Sequence, residues 1–202
     1  MLSAKNISCV RNSRALFNNI HFSVAPGEVL QVVGNNGAGK SSLLRIAAGL
    51  LQPESGHIFW NDQLIAQSDY YHYLFYLGHQ LAIKSELTVK ENLAFPDEKI
   101  KTILQQWSLE NYLNTLCGLL SQGQKQRVAL ARLQLSDKKI WILDEPFSNL
   151  DAEGVTQLER VIQEHLKNDG MVLIASHKSV ISYQCELSVS EARFKILQIT
   201  EH

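Results

Sequence analysis

The sequence has few of the residues that form covalent cross-links or membrane spans. Only three of its 202 residues are cysteines, Cys9, Cys117 and Cys185, and they are scattered without a Cys-x-x-Cys pair. This spacing argues against a disulfide framework, a zinc site and covalent haem attachment. No window approaches the roughly 18 consecutive apolar residues of a membrane-spanning helix. We therefore expect a reduced, cytosolic chain that does not itself form a membrane pore.

The sequence also lacks an excess of charge of either sign. It has 19 Lys and Arg against 20 Asp and Glu, a net charge of -1, and 45% of its residues are hydrophobic. Such a balance argues against nucleic acid or an anionic bilayer as a partner of the whole surface. No repeat, low-complexity tract or linker divides the chain. We therefore expect residues 1–202 to form a single globular domain without a nucleic-acid partner.

A glycine-rich loop, GNNGAGKS, lies between the apolar run 29–33 and a helical pattern that begins near Lys40. Its glycines allow consecutive backbone N–H groups to point at phosphate oxygens, and the helix start adds partial positive charge. Lys40 is predicted to neutralise the β- and γ-phosphates and Ser41 to bind Mg²⁺. An accidental glycine turn is the alternative, which the flanking strand and helix disfavour. The predicted phosphate-binding residues are Gly34, Asn35, Asn36, Gly37, Ala38, Gly39, Lys40 and Ser41.

Two acidic residues, Asp144 and Glu145, follow the apolar run 140–143. They are predicted to lie at the carboxyl end of a buried strand, where open α/β sheets bind ligands. An acidic pair alone is more often a solvated turn, but the loop upstream favours a function. Asp144 is predicted to hold Mg²⁺ and Glu145 to polarise the attacking water.

A third motif, LSQGQ at residues 120–124, precedes a periodic helix. In isolation it predicts a serine-capped helix start, although Ser121 and the Gly123 N–H would also suit an anion. Its order along the chain decides between these interpretations. Five elements occur in this order along the chain: the glycine loop, LSQGQ, the acidic strand end, residues 148–151 (SNLD) and residues 176–177 (SH). The same order is found in the ATP-binding cassette (ABC) subunits of membrane transporters. The chain resembles these subunits over nearly its whole length.

The resemblance implies a P-loop NTPase of ABC type. Its α/β fold would have a parallel-sheet core, an antiparallel β lobe and a helical lobe at about 85–135. ATP and Mg²⁺ are the implied ligands, and a second copy of the chain is the implied partner. Ser121, Gly123 and Gln124 of one copy would then close over ATP held by the glycine loop of the other.

The resemblance also implies roles for three further residues. Gln80 would contact Mg²⁺ and the attacking water, and His177 would contact the γ-phosphate. Asp151 would cross between subunits beside the phosphate loop. One departure concerns the base. The aromatic residue that usually stacks on adenine is missing near Arg11, which leaves Arg11 and Phe17 as alternatives.

Within the family, the stretch YLGHQLAIKSELTVKENL and Trp141 resemble the ATPase subunits of c-type cytochrome biogenesis. That subfamily implies an integral membrane partner, a haem delivery or export step and a place on the cytoplasmic face of the bacterial inner membrane. Another ABC exporter and a soluble ABC clamp remain alternatives. The clamps usually carry insertions that this chain lacks, and Glu145 with His177 favours turnover over binding alone.

The contact with the membrane partner is predicted around Gln80 to Thr88. We expect a groove there, between the sheet core and the helical lobe, that accepts a cytoplasmic helix. The preceding aromatic residues would supply apolar anchors, although at least half of them are expected to alternate into the core as a strand. These residues are Tyr70, Tyr71, Tyr73, Phe75 and Tyr76.

Overall fold

The structure is a computed structural model and describes residues 1–176 and 194–199. Strands and helices alternate through most of this range, as the periodicity predicts. The strands are β1 Leu2–Arg11, β2 Arg14–Val24, β3 Val29–Val33, β4 Ser55–Trp60, β5 Gln63–Leu64, β6 Leu74–Leu77, β7 Ile140–Asp144, β8 Met171–Ala175 and β9 Phe194–Gln198. The α-helices are α1 Lys40–Ala47, α2 Tyr70–Tyr73, α3 Val89–Leu93, α4 Asp97–Gln106, α5 Gln122–Leu135 and α6 Ala152–Lys167. Short 3-10 turns lie at Ile65–Gln67, Glu110–Tyr112 and Cys117–Leu119.

The first sheet is antiparallel and has the strand order β2-β1-β4-β5. Strands β1 and β2 form a long hairpin in which Arg11 pairs with Arg14. The two turn residues, Asn12 and Ser13, have φ angles of 50° and 60°. Two consecutive positive φ angles match the twist that tight hairpins require. This sheet is the antiparallel lobe that the family resemblance implies.

The second sheet carries the core and has the strand order β6-β7-β8-β3-β9. Strand β3 pairs in parallel with β8 and β9, and β7 pairs in parallel with β8. The central strands β7 and β8 are buried along their whole length, which explains their uninterrupted apolar sequences. Because these strands run the same way, the loop after β3 and the acidic end of β7 emerge at the same edge.

By its internal contacts the chain divides into two compact units. The first comprises Met1–Tyr76, Lys138–Glu145 and Gln163–His202, and it contains most of both sheets. The second comprises Leu77–Asp137 and Pro146–Ile162. The region predicted as a helical lobe, about 85–135, lies within the second unit and contains α3, α4 and α5.

The aromatic stretch that begins at Tyr70 starts as a helix, so the predicted strand was wrong for residues 70–73. Tyr70 and Tyr73 are three residues apart on α2, and both rings pack against Trp60. The distances from the Trp60 ring centroid to their ring centroids are 6.0 and 5.7 Å. Tyr70 is fully buried and donates a hydrogen bond to the Ala47 carbonyl at 2.7 Å. Tyr71 and Tyr73 are exposed, and strand β6 begins only at Leu74. Helical spacing thus places two rings on one side, which an alternating strand would not do.

A stacked pair of rings joins α6 to the parallel sheet inside the first unit. The rings of Trp141 and His165 lie 3.6 Å apart and are parallel within 3°. A Cβ atom at Gly170 would come within 2.3 Å of the His165 ring, so only glycine fits beside it. Burial lowers the pKa of His165 to about 4, and the charge of Lys139 acts in the same direction.

The low pKa of His165 predicts that the folded chain loses stability in mild acid. Between pH 6.5 and 4 the unfolded chain binds a proton at His165 that the folded chain does not, so stability falls as the pH drops. From pH 7 to pH 5 we expect His165 to lower the free energy of unfolding by about 1–2 kcal/mol. Urea unfolding at both pH values measures this. The His165→Phe variant keeps a ring on Trp141 and should lose less stability in acid than the wild type. The exposed-site variant His72→Phe should behave as the wild type. An equal loss in wild type and His165→Phe would contradict the prediction.

Candidate functional site

The glycine loop of the first unit connects β3 to α1. Gly39 has a φ of 99°, and a Cβ atom there would lie 3.0 Å from the Phe17 ring. At Gly34 a Cβ atom would lie 2.7 Å from the carbonyl oxygen of Ile199. Glycine is therefore required at both ends of the loop. Helix α1 begins at Lys40, so its N-terminal N–H groups face the loop, where their partial positive charge suits an anion.

The Lys40 side chain lies over the same loop. Its ammonium group donates hydrogen bonds to the carbonyl oxygens of Gly34 at 2.8 Å and Asn35 at 3.0 Å. The residue is only 7% exposed. A buried ammonium beside a helix start concentrates positive charge at one point. This arrangement suits the phosphate groups of a nucleotide better than a neutral ligand.

Two residues far apart in sequence provide oxygen atoms beside the loop. The Ser41 hydroxyl donates a hydrogen bond to the Asp144 carboxylate at 3.0 Å. Asp144 ends β7 and is buried. A hydroxyl and a carboxylate are hard ligands, and Mg²⁺ in nucleotide sites needs only one or two such groups besides phosphate oxygens and water. Among the described residues no group of three or more His, Cys, Asp or Glu residues is placed to hold a metal ion alone.

Glu145 has an unusual backbone conformation. Its φ is 51°, in the left-handed region that residues with a side chain seldom adopt. Its N–H donates to the Ala175 carbonyl at 2.9 Å, which ties it to the end of β8. Strain of this kind costs about 1–3 kcal/mol and collects at functional sites. The conformation therefore supports a role for the Glu145 side chain. His177, predicted beside it, lies outside the described residues.

The LSQGQ motif lies in the second unit and opens α5. The Ser121 hydroxyl accepts a hydrogen bond from the Gln124 N–H at 3.2 Å, and the Gln124 side chain accepts from the Ser121 N–H at 2.9 Å. This capping box fixes the start of a 14-residue helix. A hydroxyl that accepts still has a proton to donate, so a helix cap and an anion site are compatible at Ser121.

Two other predicted residues of the second unit are also on its surface. Gln80 is exposed and follows β6. Asp151 is held within its own chain, because the Arg127 guanidinium bonds to both of its carboxylate oxygens at 2.7 and 2.9 Å. The Gly154 N–H and Arg127 together keep the pKa of Asp151 below its usual value. Arg127 had no signal in the sequence beyond its position one turn into the predicted helix.

The two alternatives for stacking on the base differ in accessibility. Phe17 is 1% exposed, so it offers no ring face to a nucleotide base. Arg11 is exposed at the tip of the β1–β2 hairpin. The first unit thus brings together Lys40, Ser41 and Asp144 with the glycine loop. The second unit carries Gln80, Ser121, Gly123, Gln124 and Asp151.

Comparison with known proteins finds relatives over most of the chain. The ABC transporter family model matches residues 17–148. The cytochrome c biogenesis ATP-binding export protein CcmA of Photobacterium profundum is 42% identical over 204 residues, covering 90% of this chain and 94% of that protein. A putative ABC transporter ATP-binding protein from Pyrococcus furiosus superposes with a TM-score of 0.81, at 25% identity, over 98% of this chain and 96% of that one.

A second solved structure adds to the agreement in fold. It is an ATP-binding cassette in a dimeric post-hydrolysis state with ADP and Pi. Its TM-score is 0.81 at 22% identity, over 99% of this chain and 94% of that one. The predicted ABC-type α/β fold is therefore confirmed. Since the family model and the curated relative both cover most of the chain, it belongs to the ABC transporter family, with CcmA proteins among its relatives.

Proposed function

We propose that this chain is the ATP-hydrolysing subunit of an ABC transporter complex that acts in c-type cytochrome biogenesis. The observation that carries the proposal is the relative named as a cytochrome c biogenesis ATP-binding export protein, 42% identical across 90% of the chain. The site of the first unit supports the ATPase part. In this site a glycine loop, a buried ammonium group and a carboxylate lie close together in space.

ATP and Mg²⁺ fit the side chains of this site. The loop Gly34–Ser41 would hold the phosphates, with Lys40 opposite their negative charge. Ser41 and Asp144, which already contact each other at 3.0 Å, would hold Mg²⁺, and Gln80 is proposed as a further ligand. When bound, Mg²⁺ neutralises charge on the phosphate oxygens. Glu145, next to Asp144, would orient the attacking water and accept its proton.

The proposed working unit contains two copies of the chain. Ser121, Gly123 and Gln124 of one copy would contact ATP on the glycine loop of the other, with Asp151 nearby. The capped start of α5 supports this, because its serine hydroxyl and N–H groups suit an anion. A solved cassette of the same fold forms a dimer in the presence of ADP and phosphate. ATP would then hold the pair together, and hydrolysis would release it.

The proposed contact with the membrane subunit includes residues 80–88, which have a well-braced backbone. The buried Asn92 side chain accepts from the Lys84 N–H at 2.8 Å and donates to the carbonyls of Lys84 and Thr88 at 2.9 and 3.0 Å. Arg132 donates to the carbonyls of Leu81 and Ala82 at 2.8 and 3.0 Å. A braced segment directly after Gln80 would transmit movement of a docked helix without deforming.

Within the first unit, a separate apolar surface is also proposed to contact the membrane subunit. Leu50, Tyr71 and Tyr73 are exposed there. Beside them is a cavity of about 560 Å³ whose lining includes Ile46, Leu51 and Ile58. Exposed aromatic residues next to a cavity are typical anchors at protein interfaces. Tyr70, which the sequence placed in the same group, is buried and takes no part.

The proposed location is the cytoplasmic face of the bacterial inner membrane. In residues 1–176 and 194–199, no helix has the length and hydrophobicity that crossing a bilayer requires. The membrane-embedded part of the proposed transporter would therefore come from the partner subunit.

A gene deletion tests the pathway. Without the chain we expect holo c-type cytochromes to be lost, because haem delivery would lack its ATPase. Haem-stained gels and reduced-minus-oxidised spectra of membranes measure this. The wild-type gene should restore the cytochromes and Lys40→Ala should not. Arg45→Ala, which removes an exposed charge from the same helix, is the matched control that should restore them. Normal c-type cytochromes in the deletion strain would rule out the pathway and favour another ABC exporter.

A further inference from the structure

One side chain of the second unit links two segments that the proposed dimer needs at the same nucleotide. These are the signature segment, Leu120–Gln124, and the loop Pro146–Asp151. Arg127 lies on α5, one turn after the signature segment. Its Nη2 atom bonds to both carboxylate oxygens of Asp151, and its Nη1 atom donates to the Trp107 carbonyl at 3.0 Å. The Arg127 side chain is 12% exposed and that of Asp151 66%, so the arginine is the anchored member of the pair.

Two more contacts hold the same loop on the same helix. The buried Gln126 side chain donates to the Pro146 carbonyl at 2.8 Å. At Gly123 a Cβ atom would lie 2.8 Å from the Asn149 carbonyl, so the loop backbone packs directly on the signature glycine. The loop is therefore attached near its start, middle and end. Only the last attachment, Arg127 with Asp151, uses charged side chains.

The Asp151 carboxylate has a second task at the start of α6. Its Oδ1 atom accepts a hydrogen bond from the Gly154 N–H at 2.9 Å, which is a helix cap. One carboxylate thus joins the start of α6 to the first turns of α5. The guanidinium suits this geometry because its planar fork reaches both carboxylate oxygens and a carbonyl at once, which a lysine ammonium does not.

We propose that Arg127 is a positioning residue for ATP hydrolysis. By holding Asp151, it fixes the loop Pro146–Asp151 on the signature segment, so that both meet the nucleotide of the second subunit as one rigid surface. This inference rests on the proposed two-subunit ATP site. It assigns Asp151 a role within its own chain, in addition to any contact across the dimer. In this scheme ATP binding by a single subunit rests on Gly34–Ser41, so it should not depend on Arg127 or Asp151.

The test separates ATP binding, dimer formation and turnover. We expect Arg127→Ala to bind ATP as the wild type does, since Gly34–Ser41 is unchanged. Its kcat should fall about 10- to 100-fold, the size of effect that a slightly misplaced group has on catalysis. In a Glu145→Gln background, Arg127→Ala should also need more ATP to form dimers in sizing columns. Arg127→Lys should not restore kcat, because one ammonium does not reach both Asp151 and the Trp107 carbonyl.

Two controls distinguish positioning from a general effect on the fold. Arg160→Ala removes an exposed arginine on α6 and should leave kcat unchanged. The double variant Arg127→Ala, Asp151→Ala should be no slower than the slower single variant, because each residue acts through the other. A melting temperature close to that of the wild type is expected for Arg127→Ala.

Two results would overturn the proposal. One is an Arg127→Ala protein that hydrolyses ATP and dimerises like its parent. The other is a parallel loss of ATP affinity and cooperative unfolding, which would mean that Arg127 serves the fold alone. If the Glu145→Gln protein itself stays monomeric with ATP and Mg²⁺, the two-subunit site fails, and this inference fails with it. If that protein dimerises, a negative result with Arg127→Ala concerns Arg127 only.

Discussion

The Glu145→Gln variant is expected to bind ATP with wild-type affinity and to hydrolyse it roughly 10²- to 10⁴-fold more slowly, the range that a lost general base accounts for. Glutamine has the shape of glutamate but neither its charge nor its basicity. Binding should be retained because the phosphates are proposed to contact Gly34–Ser41, where nothing changes. The slowed protein should also accumulate as an ATP-bound dimer. Phosphate release measures hydrolysis, a fluorescent ATP analogue measures binding, and a sizing column measures assembly.

The backbone at Glu145 makes this variant a clean test of the carboxylate. Glutamine keeps the left-handed φ of 51° and the N–H bond to Ala175, so the melting temperature should not change. Glu164→Gln removes an exposed carboxylate from α6 and should retain full activity. A Glu145→Gln protein that hydrolyses ATP at the wild-type rate would show that another group orients the water.

The parts of the fold that could be predicted are those with a strong local pattern. Strands β7 and β8 are buried throughout, so their uninterrupted apolar runs identify them. Helix α6, Ala152–Lys167, has an amphipathic period that stops at Asn168-Asp169-Gly170, so its sequence also identifies it. Once these strands are identified, the residues that lie at their carboxyl ends are identified as well. The sequence therefore predicted which residues would lie at the edge of the parallel sheet, and their chemical roles stay predictions.

The parts that could not be predicted depend on distant contacts. Strand β9, Phe194–Gln198, is only partly buried and pairs with β3 from the far end of the chain. Nothing local in its sequence indicates that partner. The helical start of the aromatic stretch depends on Trp60, which receives the rings of Tyr70 and Tyr73. Tertiary packing thus outweighed the β propensity of tyrosine.

The site shows the same division between local and distant information. The capping box at Ser121 and Gln124 is contained in five residues and can be read from them. The Arg127–Asp151 pair spans 24 positions and has no fixed spacing that would reveal it. A charged residue on a predicted helix has many possible partners. Only the folded chain shows that this one holds a loop that the proposed dimer requires.

The Lys40→Ala variant is expected to bind ATP far more weakly, with a dissociation constant about 10- to 150-fold higher than that of the wild type. The estimate follows from one charged hydrogen-bonding group facing the phosphates, which contributes about 1.5–3 kcal/mol, and 1.4 kcal/mol is a factor of ten. The same side chain also donates to the carbonyls of Gly34 and Asn35, so its removal loosens the loop itself. Titration with ATP and Mg²⁺ by calorimetry measures the effect.

Arg45→Ala is the matched control, because it removes a positive charge from the same helix at an exposed position. It should bind ATP as the wild type does, since its side chain is on a different face of α1 from the loop-directed Lys40. The comparison separates a specific phosphate contact from a general loss of positive charge. Equal weakening by the two substitutions would indicate long-range attraction alone. Unchanged binding in Lys40→Ala would mean that ATP occupies some other part of the chain, and the assignment of the glycine loop would have to be abandoned.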